Sequence, residues 1–197
     1  MFILLVMDEK NLVWKEEGGR VVFNSPVFAV EERFYRSPEN LVKTFTVLDA
    51  ADWAIVIPVI ETERSRNFVM VRQWRHGARE LSLEFPGGVF ESGEQDAEAA
   101  RRELEEETAY TPGKIKKLGV FNPNPALMSN HVHFFLAWDL QALPGQNLDD
   151  DEYIAIEMVP EHEVLKGMGR PPFIHALMGT AVALYLKEKG DCPRLPA

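Results

Sequence analysis

Hydrophobic and polar residues alternate in different ways along this chain, and each pattern predicts a different element. Between residues 11 and 50, short alternating stretches such as Val27–Tyr35 and Lys43–Leu48 are separated by turn residues, which predicts a small β region. Trp53–Ile60 is almost entirely apolar, as expected of a strand buried on both faces, and Phe68–Val71 follows after a polar turn. These two segments predict a central hairpin.

Helical patterns occur in the second half of the chain. Asp96–Thr108 is rich in good helix formers and contains neither Gly nor Pro, which predicts a helix over these residues, and Pro112 and Gly113 are expected to end it. Phe173–Lys189 has apolar residues at helical spacing after two prolines and predicts a second helix. Pro160 is expected to end the last strand. The predicted strands of this half are Ile115–Phe121, His131–Trp138 and Tyr153–Val159.

Composition and charge narrow the class of protein. The chain has 197 residues, the length of one ordinary domain with an extension, and its 46% hydrophobic content is enough for a core. Its formal net charge of −10 disfavours binding to nucleic acid or to anionic membrane surfaces. A metal ion could still recruit a phosphate to so acidic a protein.

The cysteine content and the first residues bear on the compartment. Cys192 is the only cysteine, so neither an intrachain disulfide nor a cysteine-based zinc site is expected. Met1–Met7 is apolar but lacks the basic residues and cleavage site of a secretion signal, and we interpret it as a strand or an expression artefact. Since no apolar run approaches the roughly 20 residues of a membrane span, a soluble cytoplasmic protein is expected.

An acidic face on the first predicted helix points to chemistry. Glu103, Glu106 and Glu107 stand at positions i, i+3 and i+4 and therefore share one face. An apolar stripe is predicted beside them, formed by Ala97, Ala100 and Leu104. Because neighbouring carboxylates repel one another, a divalent cation such as Mg²⁺, which prefers oxygen ligands, would relieve this face. The alternative is a solvated acidic face paired with Arg101 and Arg102, and spacing alone leaves both open.

The segment Gly88–Tyr110 resembles the 23-residue signature of the Nudix hydrolases. Ala109 stands where that family usually has glycine. Val71–Arg75 and Leu83–Gly88 resemble the ADP-ribose and nucleoside-diphosphate-sugar pyrophosphatase branch, as does a proline, Pro125, fifteen positions after Tyr110. The signature positions that match are Gly88, Glu94, Arg102, Glu103, Leu104, Glu106 and Glu107.

This resemblance implies a fold and an oligomeric state. The fold is a Nudix-type α/β/α sandwich with a mixed sheet over residues 51–197, preceded by the small β region of residues 1–50. The β region resembles the part through which this branch forms homodimers. It is also too short and too strand-rich to close a core alone, so a homodimer is expected.

The resemblance also implies roles in metal binding and catalysis. Arg102 would orient Glu103 through a bidentate fork, Glu94 would reach the metals through water, and Gly87 would offer its carbonyl oxygen. The metal would be Mg²⁺, with Mn²⁺ as a substitute. The implied metal-binding residues are Gly87, Glu94, Glu103, Glu106 and Glu107.

A general base for water attack is expected from a later acidic loop. Glu152 is favoured, and Asp151 and Glu157 are alternates. The competing interpretation of Asp149–Glu152 is a solvated loop without a catalytic role.

Candidate substrate-binding residues lie outside the signature. Arg75 is a candidate phosphate or sugar clamp, Glu84 a candidate for ribose hydroxyls, and Pro125 belongs to the branch pattern. Trp53 could stack on a base, although a place in the core is the plainer interpretation. His131 and His133 are expected to serve packing or surface polarity, because no third metal ligand or acid is evident near them.

The resemblance implies Mg²⁺-dependent hydrolysis of the pyrophosphate bond in a nucleoside diphosphate sugar, with ADP-ribose as the leading candidate. Two alternatives stay open: hydrolysis of a nucleoside triphosphate or dinucleoside polyphosphate, and binding of a nucleotide sugar without turnover. The expected partner is a small nucleotide-sugar substrate, not a nucleic acid or a membrane.

Overall fold

The structure is a computed structural model that describes residues 8–62 and 65–191. The strand expected at Met1–Met7 and the side chain of Cys192 lie outside the described residues. Within the described part, no helix is long and apolar enough to cross a membrane. The chain divides into two compact units: residues 8–51 with Asn122–Asn130, and residues 52–121 with 131–191.

The first unit is a three-stranded antiparallel sheet. After a 3₁₀ helix at Glu9–Asn11, strands β1 (Lys15–Asn24), β2 (Phe28–Arg36) and β3 (Val42–Ala50) pair in sequence order. No residue of these strands is fully buried. The loop Asn122–Asn130 joins this unit through backbone hydrogen bonds to β3. The sheet therefore has no closed core of its own.

The second unit contains a mixed sheet. Its elements are β4 (Trp53–Glu61), β5 (Arg66–Arg75), β6 (Glu80–Glu84), α1 (Asp96–Thr108), β7 (Tyr110–Phe121), β8 (Val132–Ala142), β9 (Ala155–Pro160), α2 (Glu161–Gly167) and α3 (Ala176–Asp191). The strands run in the order β6-β5-β4-β8-β7, and β9 pairs with β5. Strands β4 and β8 are parallel, and the other pairs are antiparallel. The antiparallel pair β4–β5 is the predicted hairpin.

Both faces of this sheet are covered, as the apolar run of β4 predicts. Successive side chains of a strand point to opposite faces. Ala54 and Val56 pack in one cluster with Leu104 of α1, whereas Ile57 and Val59 pack in another with residues of α3 such as Tyr185. The predicted α/β/α sandwich with a mixed sheet is confirmed.

Several predicted boundaries are wrong in informative ways. The predicted helix Asp96–Thr108 is confirmed with these bounds, but Pro112 and Gly113, which were expected to end it, lie inside β7; Ala109 ends the helix instead, in a left-handed conformation with φ 54°. Ala97 is exposed, and the buried stripe of α1 includes Ala99 instead. Pro160 ends β9 as predicted and also caps an unpredicted helix, α2. Strand β6 was not predicted, and α3 begins at Ala176 rather than Phe173.

The left-handed residue at the end of α1 yields a stability prediction. Ala109 donates its N–H to the Glu105 carbonyl at φ 54°, a conformation that glycine adopts without steric penalty. A left-handed conformation costs an L-residue about 1–2 kcal/mol. Glycine avoids this cost, but its larger unfolded-state entropy cancels part of the gain. We therefore expect Ala109→Gly to raise the free energy of unfolding by about 0.5–1 kcal/mol. Denaturant unfolding measures it.

The matched control is Ala183→Gly, at an exposed position inside α3. The same substitution should there lower the free energy of unfolding by about 1 kcal/mol. A loss of stability in both variants would contradict the strain assigned to Ala109.

Candidate active site

The acidic face of α1 is largely removed from water. The apolar stripe of α1 packs on the sheet, and Glu103 and Glu107, which lie beside that stripe, are buried with it. Glu103 is 8% exposed and Glu107 is 3% exposed, whereas Glu106 is half-buried. The three carboxylates share a face as predicted, but two of them are desolvated rather than solvated.

A glycine turn closes over these two glutamates. The Gly87 N–H donates to Oε2 of Glu107 at 2.8 Å. A Cβ at Gly87 would lie 2.1 Å from the Ala54 carbonyl oxygen, and one at Gly88 would lie 2.5 Å from Oε1 of Glu103. A side chain at Gly87 would meet the backbone of β4, and one at Gly88 would displace the Glu103 carboxylate. The predicted use of the Gly87 carbonyl as a metal ligand stays a prediction.

Arg102 gathers three carboxylates. Its Nε and Nη2 bond both oxygens of Glu94 at 2.9 and 3.0 Å, while Nη1 bonds Glu103 at 2.9 Å and Glu106 at 3.0 Å. The bidentate fork was expected on Glu103 and instead holds Glu94. Glu94 lies ahead of the helix and faces the fork, whereas adjacent Glu103 meets only one nitrogen. Hydrogen bonding to Arg102 holds the pKa of Glu94 below its ordinary value.

Burial makes two of the carboxyl groups weak acids. Desolvation raises the pKa of Glu103 to about 7, against the opposing effect of Arg102. Desolvation also raises the pKa of Glu107 to about 8, although the Gly87 N–H lowers it. The charge of Glu152 contributes to the rise at both groups. Ionisation of these two carboxyl groups is therefore costly unless a cation lies beside them.

The chemistry of this donor set fits a hard divalent cation. Carboxylate oxygens from one helix face, beside a glycine turn with a free approach, are the ligands that Mg²⁺ prefers. Among the described residues, however, no three acidic, histidine or cysteine side chains converge on one point as they stand. Glu94, Glu103 and Glu106 converge on the Arg102 guanidinium instead. Glu103 and Glu106 each use one oxygen for Nη1, so the other oxygen of each is not bonded to Arg102.

The three candidate bases occupy different surroundings. Glu152 acts electrostatically on Glu103 and Glu107, which associates it with the cluster. Glu157 bonds Arg72 through both of its oxygens. Asp151 is exposed. Of the three, the structure links Glu152 to the buried glutamates.

Arg75 forms an ion pair with the buried carboxylate of Glu84. Nε and Nη2 of Arg75 bond the two Glu84 oxygens at 2.9 and 2.6 Å, and Glu84 is 3% exposed. Burial alone would raise the pKa of Glu84, but the guanidinium lowers it overall. The negative charge of Glu107 also acts on Arg75, so this pair borders the acidic cluster. The predicted contact of Glu84 with ribose would compete with Arg75 for its oxygens.

Trp53 and Pro125 are the other two predicted substrate-binding residues. Trp53 packs against the core cluster on the α3 side of the sheet, as the plainer interpretation has it. Pro125 lies in the Asn122–Asn130 loop of the first unit. Their contacts with substrate stay predictions.

The expectation that His133 has no acidic neighbour is wrong. Its Nε2 lies 3.3 Å from Asp52 and its Nδ1 lies 3.2 Å from Asp96. The two aspartates are distant from it in sequence and reach it only because β4, α1 and β8 are adjacent in the fold. No local motif signals such a contact.

A profile of the NUDIX domain matches residues 51–177. The chain belongs to the Nudix family. The family predicted from the Gly88–Tyr110 signature is therefore confirmed.

Named relatives of this Nudix protein include two pyrophosphatases. It is 35% identical over 111 residues to the ADP-ribose pyrophosphatase of Bacillus subtilis, a match that covers 56% of this chain and 60% of that protein. It is 29% identical over 168 residues to the ADP-sugar pyrophosphatase of Mus musculus, covering 79% and 76% of the two chains.

A solved structure shares the Nudix fold. The crystal structure of an ADP compounds hydrolase matches with a TM-score of 0.78 at 19% identity, over 90% of this chain and 95% of that one. At this identity the likeness shows the fold.

The raised pKa values give a pH-dependent stability. Without metal, the folded Nudix protein holds protons on Glu103 and Glu107 up to about pH 7 and about pH 8, whereas the unfolded chain releases them near the ordinary 4.5. The unfolded state thus binds fewer protons in this window, and the free energy of unfolding decreases as the pH rises. We expect the metal-free Tm to fall between about pH 5.5 and about pH 8.5 by several degrees.

Thermal unfolding of the metal-free protein in chelator, compared with a separate sample in Mg²⁺, measures this effect. Glu107→Gln should flatten the dependence and raise the Tm at high pH, because it removes the charge that burial disfavours. Glu163→Gln, at an exposed position on α2, serves as the matched control. A wild-type Tm that rises over this range would contradict the assignment.

Proposed function

We propose that this Nudix protein hydrolyses the pyrophosphate bond of a nucleoside diphosphate sugar, with Mg²⁺ or Mn²⁺ bound at the acidic face of α1. The observation that carries the proposal is the burial of Glu103 and Glu107 against the Gly87-Gly88 turn. Burial makes both carboxyl groups harder to ionise, and a solvated helix face would not impose this cost. A cation site explains it better.

Glu103, Glu106 and Glu107 would hold the metal, together with the Gly87 carbonyl and, through water, Glu94. The bound cation would neutralise the diphosphate and polarise its P–O bonds. Arg102 fixes Glu94 and positions Glu103 and Glu106 for this task. Gly87 orients the carboxylate of Glu107 through its N–H.

Glu152 is the proposed general base. Its effect on the pKa values of Glu103 and Glu107 associates its carboxylate with the metal-binding face. It would accept a proton from the attacking water and thereby make the oxygen a better nucleophile toward phosphorus. Glu157 is less suited, because both of its oxygens already accept hydrogen bonds from Arg72.

ADP-ribose is the leading substrate, and Arg75 the leading phosphate ligand. The names of the Bacillus subtilis and Mus musculus relatives support the substrate class. Arg75 supports it chemically, since a guanidinium beside the acidic cluster can bind a phosphate oxygen while Glu84 holds it in place. The products would be AMP and ribose 5-phosphate.

A substrate panel tests the proposal. With Mg²⁺, we expect the highest kcat/KM on ADP-ribose among ADP-ribose, ADP-glucose, GDP-mannose, UDP-glucose, ATP and diadenosine polyphosphates. Preference for ATP or for the dinucleoside polyphosphates would overturn the substrate class. Binding of a nucleotide sugar without turnover of any member would overturn the enzymatic proposal.

Variants in the same panel test the roles. Glu106→Gln should lower kcat by several orders of magnitude because it removes a metal ligand. Glu152→Gln should lower kcat by about 100-fold or more with Mg²⁺ affinity little changed, as loss of a general base does. Glu163→Gln is the control for both. A larger loss in Asp151→Asn than in Glu152→Gln would move the base to Asp151.

We also propose that the protein is a cytoplasmic homodimer that associates through the three-stranded sheet. That sheet exposes several large apolar side chains, which water does not favour on an isolated monomer. They include Val21, Val22, Phe23, Val42 and Phe45. Light scattering at micromolar concentration should give twice the 22.4 kDa mass of the chain; a monomeric mass would contradict the dimer.

A further inference from the structure

Residues 143–147 form hydrogen bonds to the last turn of α1. The Leu143 N–H donates to the Ala109 carbonyl at 2.7 Å, and the Asn147 N–H donates to the Glu106 carbonyl at 3.0 Å. Nε2 of Gln146 donates to the Glu107 carbonyl at 2.5 Å. Carbonyl groups at the end of a helix have no partner within it, so these contacts satisfy them. Two of them belong to proposed metal ligands.

The same side-chain amide also reaches the far side of the acidic loop. Nε2 of Gln146 lies 3.4 Å from the carbonyl oxygen of Ile154, two residues beyond Glu152. A primary amide carries two N–H groups on one nitrogen, and both are directed to backbone oxygens here. Gln146 therefore connects the end of α1 to the chain on both sides of the acidic loop.

Glu152 lies inside the loop that Gln146 closes. Its N–H donates to the Asp149 carbonyl at 3.0 Å, and its Oε2 accepts from the Asp149 N–H at 3.1 Å. These bonds shape the loop but do not connect it to α1. The connection to α1 comes from Gln146, whose side-chain amide bonds the carbonyl of Glu107 on the helix and the carbonyl of Ile154 beyond the loop.

We infer that Gln146 is a positioning residue that holds the Glu152 carboxylate in register with the metal-binding face of α1. The inference rests on the proposed role of Glu152 as the general base. The two hydrogen bonds of the Gln146 amide hold the peptide groups of Glu107 and Ile154 close to each other. Glu152 lies in the loop between Gln146 and Ile154, so these bonds limit how far its carboxylate can move. Displacement of a reacting group by about 1 Å can slow a reaction on the order of 100-fold, so a tether of this kind affects turnover directly.

Gln146→Met tests the inference, because methionine keeps the length of the side chain, adds no charge and has no N–H donor. We expect kcat on ADP-ribose to fall about 10-fold, as for other groups that orient catalytic residues. KM and the Mg²⁺ concentration for half-activation should change less than twofold. Gln141→Met, at an exposed position on β8, is the matched control and should keep wild-type kcat.

A double-mutant cycle separates positioning from a structural role. If Gln146 acts through Glu152, adding Gln146→Met to Glu152→Gln should lower kcat less than twofold further, because the base is already absent. A full 10-fold further loss in that background would overturn the inference, since Gln146 would then act on something other than Glu152.

Hydrogen exchange in the metal-free protein reports the tether without activity. The backbone amides of residues 143–154 should exchange faster in Gln146→Met than in Gln141→Met. Faster exchange with unchanged kcat would overturn the positioning role while leaving the proposed function intact. Lack of turnover by the wild-type protein on every substrate would instead overturn the proposed function.

Discussion

The desolvation of Glu103 and Glu107 is the constraint on which the rest of the site depends. The apolar stripe of α1 has one way to meet β4 and β8, and this orientation carries both glutamates into the interface with the glycine turn. A buried carboxylate is stable only when it is protonated, paired or bound to a cation. The neighbouring residues supply each of these conditions in part.

Arg102 and the Gly87-Gly88 turn are the partial compensation. The guanidinium offsets the charge of Glu94, Glu103 and Glu106, and the Gly87 N–H serves Glu107. One arginine does not match the charge of four ionised glutamates, and this imbalance is the reason that a divalent cation is proposed here.

Rigid and exposed parts contribute differently to the candidate site. The proposed metal-binding face belongs to a helix packed on the sheet, and the Arg75–Glu84 pair belongs to two paired strands. The proposed base lies on an exposed loop and depends on side-chain contacts for its placement. Precision in the first group follows from core packing, whereas precision at Glu152 follows from a few hydrogen bonds at the end of α1.

The sequence by itself determined the elements with strong periodicity and the spacing of the acidic face. Strand β4 and helix α1 follow from local patterns, and a fixed helical spacing places Glu103, Glu106 and Glu107 on one face in any fold. Local patterns also gave the bounds of α1, but not the reason for its end, which is the left-handed Ala109 and not the nearby proline and glycine.

Only the tertiary structure decided burial and partners. The burial of the α1 face against the glycine turn and the contact of Gln146 with the Glu107 carbonyl join separate segments of the chain. The choice of the Arg102 fork between Glu94 and Glu103 depends on how the loop before α1 folds back on the helix. Side-chain spacing is a property of one element, but desolvation and hydrogen bonding arise between elements. For this reason the family signature could be predicted from the sequence, whereas the electrostatics of the site could not.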